Sequence, residues 1–327
     1  MYSNKDKILK YIEEKGTVSV HELTSILNIG SVMIHRHIKK LVEDGILTKI
    51  GKSPKVYYVL ANEVNEKFSY DTLLDSKVKN ILEENFLLLT PDGKEIVGVK
   101  GFEIWCKERN YDVGKKSLEY AESIKEYNHF KKDGFIDATQ KLDITFIKEK
   151  YLDCLYYLHP YSIPIFGKTK IALWLFHAKQ TQNKMLMKKV LDIVESEIQN
   201  FIEKVKPDAI AYVPPTVPRS IQFMRELEKR VKTNLPKISI EKIKTPIMIQ
   251  QKSLKDVNDR IKNAENTLHV IGYENQFKKL LVIDDFTGSG STLNVIAYKC
   301  KKQKIAKEVI GLTITGSMNG FDVIREI

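Results

Sequence analysis

At the start of the chain, apolar residues recur at helical spacing in short runs. Ile8, Leu9 and Ile12 share one face of a helix predicted over 5–15, and Leu23, Ile26 and Leu27 share a face of another over 20–27. Asn28-Ile29-Gly30 breaks the pattern as a short turn between steeply crossing helices. A third helix starts at Ser31, a residue suited to the N-cap, and places Ile34, Ile38, Leu41 and Val42 on one face. Arg36 centres the opposite face. Gly45 ends the helix, and Gly51-Lys52-Ser53-Pro54 joins strands predicted at 46–50 and 55–60 into a hairpin.

The pattern weakens over 61–150. Asp92-Gly93 signals a turn between strands at 86–90 and 96–99. Residues 101–130 read as a helix whose Trp105, Tyr111, Leu118, Tyr120 and Tyr127 supply packing area, and Lys131-Lys132-Asp133-Gly134 reads as a loop. From 182 onward helices and strands alternate. A long amphipathic helix runs from Met187 to Val205 and stops at Pro207. Strands are predicted at 209–213, 238–243, 268–271, 279–283 and 309–314, with helices at 218–233 and 291–303. Apolar strands alternating with helices predict an α/β, doubly wound, mostly parallel sheet, in which ligands sit beyond the carboxyl ends of the strands. The chain thus divides into an N-terminal unit (1–62), a mixed α/β connector (63–150) and an α/β domain (151–327).

Composition narrows the classes. The chain has 327 residues, 43% apolar and 29% charged, as in an ordinary globular protein. No run of about 18 uncharged apolar residues suggests a membrane span, and the N-terminus lacks a signal-peptide core. Cys106, Cys154 and Cys300 are scattered and match neither a disulfide frame nor zinc spacing, which suits reduced thiols in a cytoplasm. The 53 basic residues exceed the 42 acidic ones by 11. Within 31–60, Arg36, Lys39, Lys40, Lys49, Lys52 and Lys55 face only Glu43 and Asp44. A basic half of a small helical unit fits a nucleic-acid partner.

Helix, helix-turn-helix and basic hairpin, in that order over 5–60, resemble the winged helix-turn-helix family. The resemblance makes Ile29–Leu41 the recognition helix. It implies that Ser31, Val32, Met33, His35 and Arg36 face bases, while Lys39, Lys40, Lys52 and Lys55 sit near phosphates of double-stranded DNA. The same fold also serves protein contacts and dimerisation.

The most informative segment is Leu280-Leu281-Val282-Ile283-Asp284-Asp285-Phe286-Thr287-Gly288-Ser289-Gly290-Ser291-Thr292. Two adjacent carboxylates at the end of an apolar strand are costly unless they meet a cation or hydroxyl donors. The Gly/Ser/Thr turn that follows opens a helix, where backbone N–H groups, hydroxyls and the helix dipole can cradle an anion. A diol-binding acid pair beside a phosphate cradle suits a ribose 5-phosphate. A P-loop would need Lys where Ser291 stands, and a dinucleotide fingerprint would need Gly where Leu293 stands.

This segment resembles the phosphoribosyl-pyrophosphate (PRPP) motif of type I phosphoribosyltransferases. The resemblance implies that Asp284 and Asp285 contact the ribose hydroxyls and, indirectly, a PRPP-bound Mg²⁺. Thr287, Gly288, Ser289, Gly290, Ser291 and Thr292 would hold the 5-phosphate. Val213-Pro214-Pro215-Thr216-Val217-Pro218-Arg219-Ser220 stands where that family has its pyrophosphate loop. Pro215, Thr216 and Arg219 would then meet the diphosphate, although a structural proline turn with a solvated arginine reads equally well. Gln250–Leu254 and Arg260–Asn263 resemble the mobile segment of the competence protein F family. Lys252, Arg260 and Lys262 either close over diphosphate or form a solvated basic loop. That family's N-terminal cysteine cluster is replaced here by the helix-turn-helix unit. The combined architecture resembles the purine repressors of Gram-positive bacteria. That resemblance implies a homodimeric transcriptional regulator with PRPP or a nucleotide as effector. The alternatives are an active phosphoribosyltransferase recruited by its winged helix, with Asp284, Asp285 and Arg219 catalytic, and an effector in a stress or anti-phage pathway. Thr313, Thr315 and Ser317 are the candidates for a base pocket.

Overall fold

The computed structural model describes residues 3–52, 54–60, 74–146, 149–243, 245–247, 249, 253–254, 256–273 and 276–317. Helix α1 (Asn4–Lys15) begins in a capping box. The Ser3 hydroxyl accepts from the Asp6 N–H at 3.2 Å, and the Asp6 carboxylate accepts from the Ser3 N–H at 3.1 Å. Ser19 and Glu22 repeat the device for α2 (Val20–Leu27), and Asn28 ends α2 in the left-handed region. Helix α3 (Ser31–Glu43) is capped differently from the expectation. Gly30 occupies the N-cap, its carbonyl accepting from the Ile34 N–H at 3.1 Å, so Ser31 is the first helical residue. Strands β1 (Leu47–Lys52) and β2 (Lys55–Leu60) form the hairpin, and Val18 makes an isolated antiparallel bridge to Tyr58. Ile8, Ile12, Leu23, Ile34, Ile38 and Leu41 are buried together beneath them.

The middle region departs further from the sequence pattern. Helix α4 (Ser76–Asn85) precedes the short hairpin of β3 (Leu87–Leu89) and β4 (Glu95–Val97). The helix expected over 101–130 is two, α5 (Gly98–Lys107) and α6 (Val113–His129). Asn110 has positive φ, and the Asp112 carboxylate caps a fresh start by accepting from the Lys115 N–H at 2.6 Å. Phe86, Phe102, Trp105 and Tyr120 pack together, with Phe86 and Phe102 ring centroids 5.0 Å apart, while Tyr111 and Leu118 turn outward. The expected loop at 131–134 is a tight turn through Asp133 and Gly134, both at positive φ. It joins β5 (Lys131–Lys132) to β6 (Phe135–Asp137).

Helix α7 (Thr139–Thr145), β7 (Cys154–Pro160), the small hairpin β8 (Ser162–Ile163) and β9 (Gly167–Lys168), and α8 (Lys170–Thr181) follow. The long helix α9 (Lys184–Val205) leads to β10 (Ala209–Tyr212), α10 (Phe223–Arg230) and β11 (Lys237–Ile238). After β12 (Ile240–Lys242), α11 (Val257–Thr267) and β13 (Leu268–Val270) come β14 (Phe277–Thr287), α12 (Ser291–Lys302) and β15 (Ala306–Gly316). The strand expected over 238–243 is split: β11 joins the central sheet, while β12 pairs antiparallel with β13.

Among the described residues the central sheet runs β11-β10-β14-β15-β7-β6-β5. Pairing is parallel from β11 through β7 and antiparallel for β6 and β5. This is a mixed α/β fold around a mostly parallel sheet, and its antiparallel edge comes from residues 131–137, ahead of residue 151. Side chains alternate between its faces. Leu280 and Val282 pack with Leu293 and Ile296 of α12, while Leu281 and Ile283 pack with residues of α8, α9 and α10. The chain leaves β10 toward β11 on one side and leaves β14 toward β15 on the other. The crevice beyond β10 and β14 is therefore a topological switch point.

Candidate functional site

Two surfaces stand out. On α3, burial of Ile34, Ile38 and Leu41 forces the other face outward. Ser31, Val32, Met33, His35, Arg36, Lys39 and Lys40 are all exposed, Val32 by 82%. An exposed valine beside an arginine on a helix of this width suits contact with base edges and thymine methyls in a major groove. The Met33 sulfur accepts from the Asn4 side-chain amide at 3.3 Å, which ties this face to α1. Lys39 approaches Glu43 at 3.9 Å, an exposed pair of little energy, so its ammonium is available to a phosphate. Lys52 and Lys55 pair with each other across the hairpin end, and their side chains lie outside the described positions.

The second surface is a cavity of about 620 Å³ at the switch point. The two loops singled out in the sequence form its walls: Pro214, Pro215, Thr216 and Arg219 on one side, and Asp284 through Thr292 on the other. Arg260 of α11 also lines it, whereas Lys252 lies outside the described residues. The 214–222 loop is held in place. The Gln182 side-chain carbonyl accepts from the Ile221 N–H at 3.1 Å, and the Gln222 amide donates to the Val217 carbonyl at 2.9 Å.

The acids do not sit on a loop. β14 continues to Thr287, with Asp284 opposite Thr313 and Phe286 opposite Thr315 of β15, so the ladder fixes both carboxylates. As neighbours in a strand they leave on opposite faces. Lys179 of α8 donates to the Asp285 carboxylate. The Asp284 carboxylate accepts the Asp285 N–H at 2.8 Å, yet burial, and then the charge on Asp285, push it well above the usual carboxylate range. Ionising Asp284 beside Asp285 in this buried position is thus electrostatically costly. A diol hydroxyl or a cation approaching Asp284 would relieve that cost.

The turn after the strand opens α12. Gly290, at φ +85°, is its N-cap, and a Cβ there would lie 3.2 Å from Leu142, so this position requires glycine. The Ser289 and Ser291 hydroxyls bond each other at 2.8 Å. Lys141 of α7 donates to the carbonyls of Gly288 and Ser317 from behind the turn. Burial, with the nearby Arg260 charge, lowers the Lys141 ammonium to about 8. Asn294 completes the support: its amide oxygen accepts from Tyr151 and Leu152 N–H groups at 2.8 and 3.0 Å. Of the base-pocket candidates, Thr315 lines the cavity, Thr313 donates to the Thr315 carbonyl, and the Ser317 N–H donates to Thr287.

Sequence reasoning missed Lys179, Lys141, Tyr161 and Phe176. Tyr161 and Phe176 form an aromatic wall with Phe286: the Tyr161 and Phe286 rings are tilted by 53° with centroids 4.5 Å apart, and the Lys168 ammonium lies 4.7 Å from the Phe176 ring. Among the described residues, no group of three His, Cys, Asp or Glu side chains could hold a metal ion. Two carboxylates alone suit a Mg²⁺ that keeps its waters and arrives on a ligand's phosphates. No helix of the described residues is long and apolar enough to cross a membrane.

Comparison with known proteins agrees with the first surface. Residues 4–48 match the family model described as winged helix-turn-helix DNA-binding. The arsenic resistance transcriptional regulator of Pseudomonas putida is 35% identical over 81 residues, a quarter of this chain. The chain spans 59% of that regulator's length. A hypoxanthine phosphoribosyltransferase structure from Staphylococcus aureus aligns over 43% of this chain and 82% of its own, at 14% identity and a TM-score of 0.24. That score is too low for the likeness to bear on fold or function.

Proposed function

We propose that this protein is a DNA-binding transcriptional regulator whose α/β domain binds a phosphoribosyl compound, PRPP with Mg²⁺ first among them, as effector. One observation carries the reading. A single switch-point cavity gathers the paired acids, the Gly/Ser turn, Arg219 and Arg260 in a chain that begins with a winged helix-turn-helix. Asp284 and Asp285 bind the ribose diol. The turn and the α12 dipole hold the 5-phosphate, and the Arg219 fork meets diphosphate oxygens. Mg²⁺ supplies charge neutralisation of the diphosphate. This arrangement resembles the PRPP site of the competence protein F family, and the whole resembles the purine repressors. A homodimer reading a palindromic operator fits the same scheme.

The regulator reading requires the ligand to favour one DNA-binding state over another. The test is operator selection from a random DNA library, then titration of that complex with Mg²⁺ and PRPP. The expected result is an affinity change of about fivefold or more, the lower end of typical coupling. Unchanged DNA affinity in the presence of bound PRPP would remove the effector role.

A second reading, an active phosphoribosyltransferase, is favoured by the aromatic wall of Tyr161, Phe286 and Phe176 beside the acids, which suits a planar base. Release of pyrophosphate from PRPP with any of a panel of bases would select it.

A further inference from the structure

A buried lysine behind the turn deepens the reading of the cavity. Lys141 is 6% exposed and donates to two carbonyls, those of Gly288 and Ser317. An ammonium so placed is costly without an anion nearby. Among the described residues, the charged groups around it do not supply one. Arg260 of α11 repels it, Asp143 on its own helix pairs with Lys150 at 2.6 Å, and the neutral Tyr157 hydroxyl of β7 shares the Ser317 carbonyl.

The geometry of the turn gives this charge a use. Gly288 and Ser289 both line the cavity, and Lys141 lies outside its wall. In a planar trans peptide the carbonyl and the following N–H point in opposite directions. A carbonyl of Gly288 pulled toward Lys141 therefore turns the Ser289 N–H toward the cavity. Leu142, one residue on, packs 3.2 Å from where a Gly290 Cβ would sit, so α7 shapes both ends of the turn.

We infer that Lys141 is a positioning residue for a phosphate monoester held in the Gly288–Thr292 turn, presenting the Ser289 N–H and placing a positive charge directly behind it. This rests on the phosphoribosyl reading of the cavity. The lowered ammonium adds a consequence. Anion binding holds the proton on Lys141, so phosphate affinity falls as pH rises through about 8 and binding takes up protons there.

The test is calorimetric titration of the full chain with ribose 5-phosphate and with Mg²⁺-PRPP, from pH 7 to 9, in buffers of different ionisation enthalpy. Wild type is compared with Lys141→Met and Lys141→Arg. The expected loss in Lys141→Met is about tenfold or more, the worth of one charge-assisted hydrogen bond. Lys141→Arg restores most of the affinity and flattens its pH profile. Asp284 titrates alike in wild type and Lys141→Arg, so the difference between their profiles reports Lys141. If wild type binds neither probe, the cavity reading itself fails. If wild type binds and Lys141→Met binds equally, or Lys141→Arg keeps the wild-type pH profile, Lys141 has no such role. Should Lys141→Met not fold, the two remaining profiles decide.

Discussion

The α3 face and the switch-point cavity are built on opposite plans. On α3 every candidate contact comes from one helix, and their exposure follows from burying Ile34, Ile38 and Leu41 on the other side. The cavity draws on α8, the β10–α10 loop, α11 and the β14–α12 turn, segments far apart in the chain. A surface made by one element survives small errors elsewhere. A cavity made by several depends on the sheet that sets their spacing. The two should therefore fail independently, and differently, when altered.

The sharpest separation is expected from Asp284→Asn combined with Asp285→Asn. One charged contact at about 1.5–3 kcal/mol and one neutral hydrogen bond at about 0.5–1.5 kcal/mol imply at least about a thirtyfold loss of PRPP affinity by calorimetry, with operator affinity in the absence of ligand unchanged. Undiminished PRPP binding would dissociate the acids from the site. Arg36→Ala should do the reverse. Operator affinity should drop by about 1–3 kcal/mol and base preference relax in a selection experiment, while PRPP titration stays as in wild type. Gly290→Ala adds a side chain at φ +85° against Leu142, so thermal melting should show a loss of about 1–3 kcal/mol, confined to the α/β domain. A gentler probe is Asp284→Asn alone. Its carboxyl is raised by burial and by Asp285, so the native state holds that proton more tightly than the unfolded chain. Ionisation therefore costs stability as pH rises above the ordinary carboxylate value. The amide should raise the melting temperature at pH 7 by about 2 °C or more, and the gain should vanish near pH 4. The smallest change is expected from Lys39→Ala: uniformly weaker DNA binding, with the salt dependence reduced by about one phosphate.

The difference in plan also governs what was legible in the sequence. The winged helix announced itself because α1, α2 and α3 carry local signals, although Gly30 rather than Ser31 caps the third. The strand–turn–helix at 280–292 was equally plain, but the ladder with β15 draws the acids into the strand, a tertiary effect that turn residues nearby concealed. Helix α8 had no readable period: Leu173 and Phe176 add apolar residues off the buried stripe of Ile171, Trp174 and Leu175. Lys179 was invisible with it. Lys141 sits in the polar segment Thr139–Thr145, where nothing local marks one lysine as buried. The two helices read as one over 101–130 were divided by Asn110 and Asp112, whose left-handed turn and cap outweighed the apolar spacing.

One pairing in the central sheet carries a consequence for synthesis. Cys154 registers with Ile310, so β7 waits for β15, the last strand of the sheet to leave the ribosome. The winged helix closes on contacts made within its own first sixty or so residues and can fold long before that. Each new molecule therefore passes through an interval with a finished winged helix and an unfinished switch-point cavity, during which the apolar strands of the sheet lack their partners.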